Sequence, residues 1–197
     1  MKKNIYFGII KVMIGGRMIG VFLADGFEES EGIITIDLLR RAGFDVKTIS
    51  ITDNNVVTSS HKIKLFTDLV WDEFNNYEYD VLVIPGGKLG VSNLSNFNSL
   101  SDALIKHNNN GGMIAAICAG PSILGNIGLL KDIKYTCYPG FEDDSFEGIY
   151  MNNSVSHDKN IITGRAMAST IEFAREIINS IDSSLLENVD EGIQYKK

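Results

Sequence analysis

Two short runs of consecutive apolar residues constrain the fold of this chain most. Val81–Ile84 and Met113–Ile117 contain no polar residue. Strands that are apolar on both faces are typical of a parallel sheet covered by helices on both sides. A third such run, 18–24, begins the series, and segments with helical features separate the runs. We therefore predict an α/β domain with a mostly parallel sheet and helices on both faces.

Helix ends and turn residues indicate the other elements. A helix over 29–42 begins with acidic residues and ends with Arg40 and Arg41, which complements the helix dipole, and Gly43 follows as a stop. Ser169 and Glu172 predict a capping box for a helix over 170–181. We also predict strands over 44–51 and 133–137, a small β excursion over 55–67, a helix near 98–108 and a hairpin over 154–164.

The length of 197 residues suits one domain, which we place at 18–181. Residues 182–197 are interpreted as a short acidic tail that could add one helical turn. Residues 1–17 are interpreted as an N-terminal extension, or as the result of a mis-assigned start upstream of Met18.

Charge and cysteine content exclude several classes of protein. The net charge of −7 is spread along the chain without a basic block, so a nucleic-acid partner is not expected. No apolar stretch reaches the roughly 18 residues that span a bilayer, so no membrane partner is expected. Two cysteines do not form a disulfide framework, which favours a reducing, cytoplasmic location. Three scattered histidines do not predict a metal site.

Cys118 is the main candidate for a reactive residue. It directly follows the strand 112–117 and precedes Ala119 and Gly120, where a helix is predicted to begin. A nucleophile at a sharp strand-to-helix turn is exposed at the edge of the sheet. The first-turn N–H groups of a helix also lower the pKa of a nearby thiol, so we expect a thiolate at Cys118.

Three segments are predicted to meet at one edge of the sheet. The loop 24–31, the turn 85–87 and Cys118 each follow a predicted strand. Ligands of open α/β sheets bind outside the carboxyl ends of the strands, so this edge is the expected site.

These segments together resemble the ThiJ/PfpI superfamily, in its DJ-one-like branch, over about 18–181. The resemblance is carried by four motifs in order: ADGFEESE at 24–31, LRRAG at 39–43, VIPGG at 83–87 and AAICAGP at 115–121. It implies a flavodoxin-like, Rossmann-like sandwich that forms a homodimer and uses no metal or organic cofactor. It also implies that Cys118 is the nucleophile, that Glu31 hydrogen-bonds its sulfur, and that the N–H groups of Gly87 and Ala119 form an oxyanion site.

The chemistry of these residue types agrees with that interpretation. A carboxyl group beside a partly buried thiolate is disfavoured as a second anion, so we expect a raised pKa and a protonated Glu31. Gly86 and Gly87 would let the backbone approach a substrate oxygen closely. Without the resemblance, Glu31 would be read as an acid that complements a helix dipole. For Cys118 the alternative interpretation is a buried inert thiol.

Two positions depart from the family pattern. Tyr138 stands where many members have a histidine, so a Cys–His dyad would need His61 or His157 from elsewhere; we interpret Tyr138 as a pocket wall. His61 stands near a position where related proteins often have an arginine. Ala119 follows the cysteine where protease-like members have histidine, which counts against peptidase activity. Cys137 is interpreted as a passive thiol, with a resolving thiol as the alternative.

The resemblance implies a small-molecule carbonyl substrate. The first hypothesis is a glyoxalase- or deglycase-type enzyme that acts on reactive dicarbonyls such as methylglyoxal, or on their adducts. The second is an oxidative-stress sensor with little turnover, in which Cys118 is oxidised to sulfinic acid. A role in thiazole-phosphate synthesis is not supported, because the sequence shows no phosphate-binding loop.

Overall fold

A computed structural model describes residues 17–195 of the chain, so the expected extension 1–17 lies outside the described residues apart from Arg17. The strands are β1 (Met18–Leu23), β2 (Asp45–Ser50), β3 (Val56–Thr58), β4 (Lys64–Phe66), β5 (Leu69–Val70), β6 (Val81–Ile84), β7 (Met113–Ile117), β8 (Lys134–Tyr135), β9 (Ile149–Tyr150), β10 (Val155–Asp158) and β11 (Ile161–Gly164). The helices are α1 (Glu29–Arg41), α2 (Lys88–Ser95), α3 (Asn98–Asn109), α4 (Pro121–Asn126), α5 (Thr170–Asp182) and α6 (Leu186–Gly192).

Seven strands form the central sheet in the order β10-β11-β7-β6-β1-β2-β5. Neighbouring strands are parallel except for β10, which pairs antiparallel with β11 at one edge. The strands β3 and β4 form a separate antiparallel hairpin, and β8 pairs in parallel with β9. The mostly parallel sheet that the apolar runs predict is therefore confirmed.

The sheet separates two layers of core, and successive side chains of a strand enter opposite layers. In β6, Leu82 and Ile84 pack in the layer that contains α2, α3 and α4. Val81 and Val83 pack in the layer that contains α1, α5 and α6. All four are essentially inaccessible to solvent, which explains why this strand has no polar position. Truncating Leu82 to alanine would cost about 2–5 kcal/mol of stability.

Several local predictions agree with the structure. The helix α1 ends as its charges predict, and Gly43 follows with φ of 86°, a conformation that glycine adopts without strain. The strands β10 and β11 form the expected hairpin, and Lys159 in its turn has φ of 54°. The helix α3 and the β3–β4 hairpin also lie where the sequence predicts them.

Three local predictions differ from the structure. Ser169 makes no side-chain capping bond, because a 3-10 turn over Met167–Ser169 leads directly into α5. The helix α2 lies outside the predicted elements, because its eight residues are too few to establish a helical period, although Val91 and Leu94 are buried. The predicted tail contains the packed helix α6: Val189 is buried against the core, and Arg175 of α5 forms a two-bond ion pair with Asp190.

The carboxyl ends of β1, β6, β7 and β11 meet at one edge of the sheet, as the strand order requires. The loops that follow these strands contain the candidate residues. Among residues 17–195, no helix is long and apolar enough to cross a bilayer.

Candidate active site around Cys118

Cys118 lies in a strained turn at the end of β7. Its φ of 63° places a non-glycine residue in the left-handed region, which costs of order 1–3 kcal/mol and is characteristic of functional sites. The backbone holds this conformation from both sides: the Cys118 N–H donates to Gly164 O at 2.9 Å, and the Cys118 carbonyl accepts from the Tyr138 N–H at 2.8 Å. The strand-to-helix turn expected for a nucleophile is therefore present, with α4 beginning at Pro121.

Glu31 lies in the first turn of α1 and points inward, with 1% of its surface exposed. Its Oε2 accepts a hydrogen bond of 2.8 Å from the Gly86 N–H. Its Oε1 is buried and has no hydrogen-bond partner of good geometry within the described part of the chain. An acid that only complemented a helix dipole would face solvent, so the position of Glu31 favours a role in the site.

Burial raises the pKa of Glu31 to about 7. The neighbouring Cys118 thiol and the Gly86 N–H oppose this rise by hydrogen bonding, and the charge of Glu28 adds to it. The expected direction is confirmed. A pKa of about 7 also means that Glu31 exchanges its proton near neutral pH, where a general acid–base catalyst is most effective.

The expected lowering of the Cys118 pKa is wrong. Burial and the adjacent Glu31 charge raise the pKa of this thiol to about 12, although the N–H groups of Ala119 and Gly87 oppose the rise. The sequence indicates the helix start but not the burial of the sulfur. Between these two pKa values the pair carries one negative charge and one proton, which either the sulfur or the carboxyl group can hold. A thiolate therefore forms when Glu31 takes the proton.

The two glycines after β6 allow this close approach. A Cβ on Gly86 would lie 2.5 Å from Glu31 Oε2 and 3.0 Å from Cys118 Sγ, so any side chain would separate the pair. Gly87 has φ of 94°, and a Cβ there would lie 2.6 Å from the Glu28 nitrogen. The N–H groups of Ala119 and Gly87 both act to lower the pKa of the Cys118 thiol, so both lie close to its sulfur. Both amides expected in an oxyanion site therefore face the sulfur.

A cavity of about 560 Å³ opens beside the sulfur. Five of the residues singled out in the sequence line this cavity: Glu31, Gly87, Cys118, Ala119 and Tyr138. Gly86 is not part of the lining, but its N–H donates to Glu31, which is. Sequence reasoning missed Lys88, Phe141 and the segment 166–168, which form part of the wall. The segment 166–168 follows β11, the neighbour of β7, so the rule that located the other loops could have found it.

The histidines differ in their relation to the cavity. His61 lines it, and its Nδ1 lies 2.6 Å from Glu29 Oε1. His157 instead pairs with Glu176 of α5 at 2.7 Å. His107 is buried, with its ring nitrogen 3.1 Å from the Met113 carbonyl, and does not line the cavity.

Ligand atoms of Glu28, Glu29 and His61 lie within 4.8 Å of one another. The Ser60 hydroxyl lies 3.0 Å from a carboxylate oxygen of each glutamate and donates its single proton to one of them at a time, and His61 pairs with Glu29. These groups therefore satisfy one another through hydrogen bonds.

Cys137 is fully buried with its Sγ 3.9 Å from Glu142 Oε2, and burial and the charge of Glu142 raise its pKa to about 12. This burial favours the passive interpretation of Cys137.

Comparison with known proteins agrees with this geometry. The family model of the DJ-1/PfpI family matches residues 17–180. The Parkinson disease protein 7 homolog of Danio rerio is 34% identical over 172 residues, which are 85% of this chain and 91% of that protein. A deglycase of Pyrococcus horikoshii is 32% identical over 157 residues, which are 79% of this chain and 93% of that protein.

Solved structures have the same architecture. The crystal structure of a mutant DJ-1 superfamily protein from Salmonella typhimurium superposes with a TM-score of 0.88 at 31% identity, covering 92% of this chain and all of that one. The flavodoxin-like α/β fold is thus common to both proteins. From the matched residues 17–180 and these relatives, it follows that this chain is a member of the DJ-1/PfpI family.

Proposed function

We propose that this protein is a cysteine-dependent enzyme that acts on reactive dicarbonyls of the methylglyoxal type, or on their adducts. The observation that carries the proposal is the contact between Cys118 and Glu31 at the wall of a cavity, with the pKa of Glu31 at about 7. The deglycase among the relatives supports a function of this class.

Glu31 acts first as a base. Its carboxylate takes the Cys118 proton while the sulfur attacks the aldehyde carbon, so that a C–S bond forms and the carbonyl π electrons move to oxygen. The N–H groups of Gly87 and Ala119 stabilise the resulting oxyanion. Glu31 then returns its proton to this oxygen, which gives a hemithioacetal.

An internal proton transfer completes the reaction. The Glu31 carboxylate removes the proton on the former aldehyde carbon, and the electron pair forms an enediolate with the neighbouring carbonyl. Glu31 returns this proton to the neighbouring carbon, and the hydroxyl proton of the first carbon passes to the second oxygen, which gives the thioester of a 2-hydroxy acid. The first carbon is thereby oxidised and the second reduced, so no external oxidant or reductant is needed. Water then cleaves the thioester and regenerates the thiol.

The test is formation of lactate from methylglyoxal by purified protein. We expect Cys118→Ser to abolish it and Glu31→Gln to reduce it by at least about 100-fold, in the range of a lost general base. In the unmodified protein, kcat/KM should rise with pH through about 7 as Glu31 ionises. Undiminished turnover in Cys118→Ser would refute the proposal.

A redox role is the second candidate, and the geometry of Glu31 favours it. A protonated Glu31 would donate to a sulfinate on Cys118 from Oε1, which has no hydrogen-bond partner of good geometry among residues 17–195. Two equivalents of peroxide would each transfer one oxygen to the sulfur and release water or hydroxide. Intact mass after peroxide treatment should show a two-oxygen addition that Cys118→Ala lacks; oxidation spread over methionines would contradict this role.

We also propose an oligomeric state and a cellular location for the protein. A homodimer is proposed on the family relationship, and sedimentation equilibrium would measure its mass. A cytoplasmic location is proposed because the free thiols Cys118 and Cys137 suit a reducing compartment; microscopy of a fluorescent fusion would test it.

A further inference from the structure

The cavity beside Cys118 is large for a three-carbon dicarbonyl. Its volume of about 560 Å³ lies in the range of roughly 300–1,000 Å³ that holds drug-sized ligands. Methylglyoxal would occupy only the part next to the sulfur, so most of the wall would contact no substrate atom. The remaining lining residues therefore indicate which substituent a preferred substrate carries beside its two carbonyl groups.

The strand order makes the two sides of the cavity chemically different. On the side of β6 and β1 lie Glu31 and the Gly87 N–H, which are the groups that can bind carbonyl oxygens. The other charged or ionisable residues of the lining are Glu28, His61 and Lys88. On the opposite side, the loop after β11 contributes Ala166, Met167 and Ala168. That second side offers apolar side chains and no charged group.

Two aromatic rings complete the apolar side. Tyr138 and Phe141 line the cavity and pack edge to face with ring centroids 6.2 Å apart. The bond from the Tyr138 N–H to the Cys118 carbonyl fixes this loop next to the nucleophile. Met167 lies on the same side, with 55% of its surface exposed. Methionine and aromatic edges are favourable neighbours for an aromatic ring.

We propose that the cavity selects 2-oxoaldehydes that carry an aryl or bulky alkyl group, with this group packed against Tyr138, Phe141 and Met167. The inference rests on the proposed function for the reaction at Cys118 and extends it to the substrate class. A charged group in that position is disfavoured, because it would lose hydration against apolar side chains. Covering one face of a phenyl ring favours the aryl compound about tenfold over its methyl counterpart.

Alkylation of Cys118 tests this selection without requiring turnover. The sulfur displaces iodide from either of two neutral probes, iodoacetamide and N-phenyl iodoacetamide, which differ by one ring. Each rate is divided by the rate of the same probe with glutathione, which removes the difference in intrinsic reactivity. We expect the normalised preference for the phenyl probe to be about tenfold in the unmodified protein.

Two variants probe the wall, and a third is the matched control. Met167→Gln and Tyr138→Gln keep side chains of substantial size while adding polar groups, and each should reduce the preference to less than about threefold. Ile149 is equally exposed at 51% and lies outside the cavity lining, so Ile149→Gln should retain the preference. Circular dichroism checks that each variant is folded. A normalised ratio of one in the unmodified protein overturns the inference, as does a preference that neither wall variant changes.

The inference and the proposed function fail separately. If the phenyl preference is found but no 2-oxoaldehyde is turned over, the enzyme proposal is wrong and the selectivity of the cavity stands. If methylglyoxal is converted with a normalised probe ratio of one, and phenylglyoxal has no higher kcat/KM, the enzyme proposal stands and the inference is wrong.

Discussion

The buried Glu31 should reduce the stability of the folded protein at neutral and alkaline pH. Its pKa is raised from 4.5 to about 7, so the folded protein retains this proton over a pH range in which the unfolded chain releases it. Below pH 4.5 the carboxyl group is neutral in both states and does not change the free energy of unfolding. As pH rises from 4.5, Glu31 lowers the free energy of unfolding increasingly, and the effect is complete above pH 7. The difference between the two pKa values corresponds to roughly 3 kcal/mol.

Glu31→Gln removes the charge and keeps an oxygen that can accept from the Gly86 N–H. We therefore expect this variant to be more stable than the unmodified protein by roughly 3 kcal/mol at pH 8, and by less than about 1 kcal/mol at pH 5. Urea unfolding at pH 5, 6, 7 and 8 measures the difference. The fluorescence of Trp71, the only tryptophan of the chain, reports unfolding because its ring packs 4.8 Å from that of Phe97.

Glu29→Gln is the matched control on the same helix, and it should behave in the opposite way. Burial opposes ionisation of Glu29, but hydrogen bonds from its own N–H, Ser59 and Ser60 lower its pKa to about 2. The ionised form therefore stabilises the fold above pH 4.5, and this stabilisation is lost only as pH falls toward 2. The variant should be less stable by an amount that is constant from pH 5 to 8. If Glu31→Gln instead gives a pH-independent difference, or lowers stability at pH 8, the raised pKa of Glu31 is wrong.

Three further predictions concern local geometry. Gly86→Ala should slow alkylation of Cys118 by iodoacetamide at least about tenfold with the fold retained, because the new methyl group would lie 2.6 Å from Cys118 Cβ and 2.5 Å from Glu31 Oε2; an unchanged rate would argue against close contact. Cys118→Gly should be more stable than Cys118→Ala by about 1 kcal/mol in urea, since glycine adopts a φ of 63° without strain; equal midpoints would indicate an unstrained turn. Arg175→Ala should cost about 2 kcal/mol, because it removes both hydrogen bonds to a largely buried Asp190; a loss below about 0.5 kcal/mol would show that α6 contributes little.

The sequence predicts the framework of the site well. A strand with no polar position, such as β6, is compatible only with burial on both faces, and a parallel sheet places the ends of β6 and β7 side by side. This reasoning brings Gly86, Gly87 and Cys118 together without any knowledge of side-chain packing. It also locates the start of α1, and with it Glu31.

The sequence does not predict quantities that depend on packing. The pKa of Cys118 depends on how much water reaches the sulfur and on which anion lies beside it, and neither is a property of the local pattern. Phe141 of the wall comes from a loop without a characteristic spacing, whereas the position of Met167 after β11 could have been inferred from the strand order. The absence of a capping box at Ser169 has a similar cause. The 3-10 turn over Met167–Ser169 continues directly into α5, so the start of this helix does not need a side-chain cap.

The two backbone hydrogen bonds that hold Cys118 come from segments that are made after it. The carbonyl of Gly164 and the N–H of Tyr138 both lie later in the chain, so neither bond exists while a ribosome has completed only the first 137 residues. A nascent chain therefore carries an ordinary, unpositioned cysteine. Alkylation of Cys118 at a fixed pH should therefore become slower late in synthesis, when burial raises the pKa of the thiol to about 12, and its rate would report the last stage of folding.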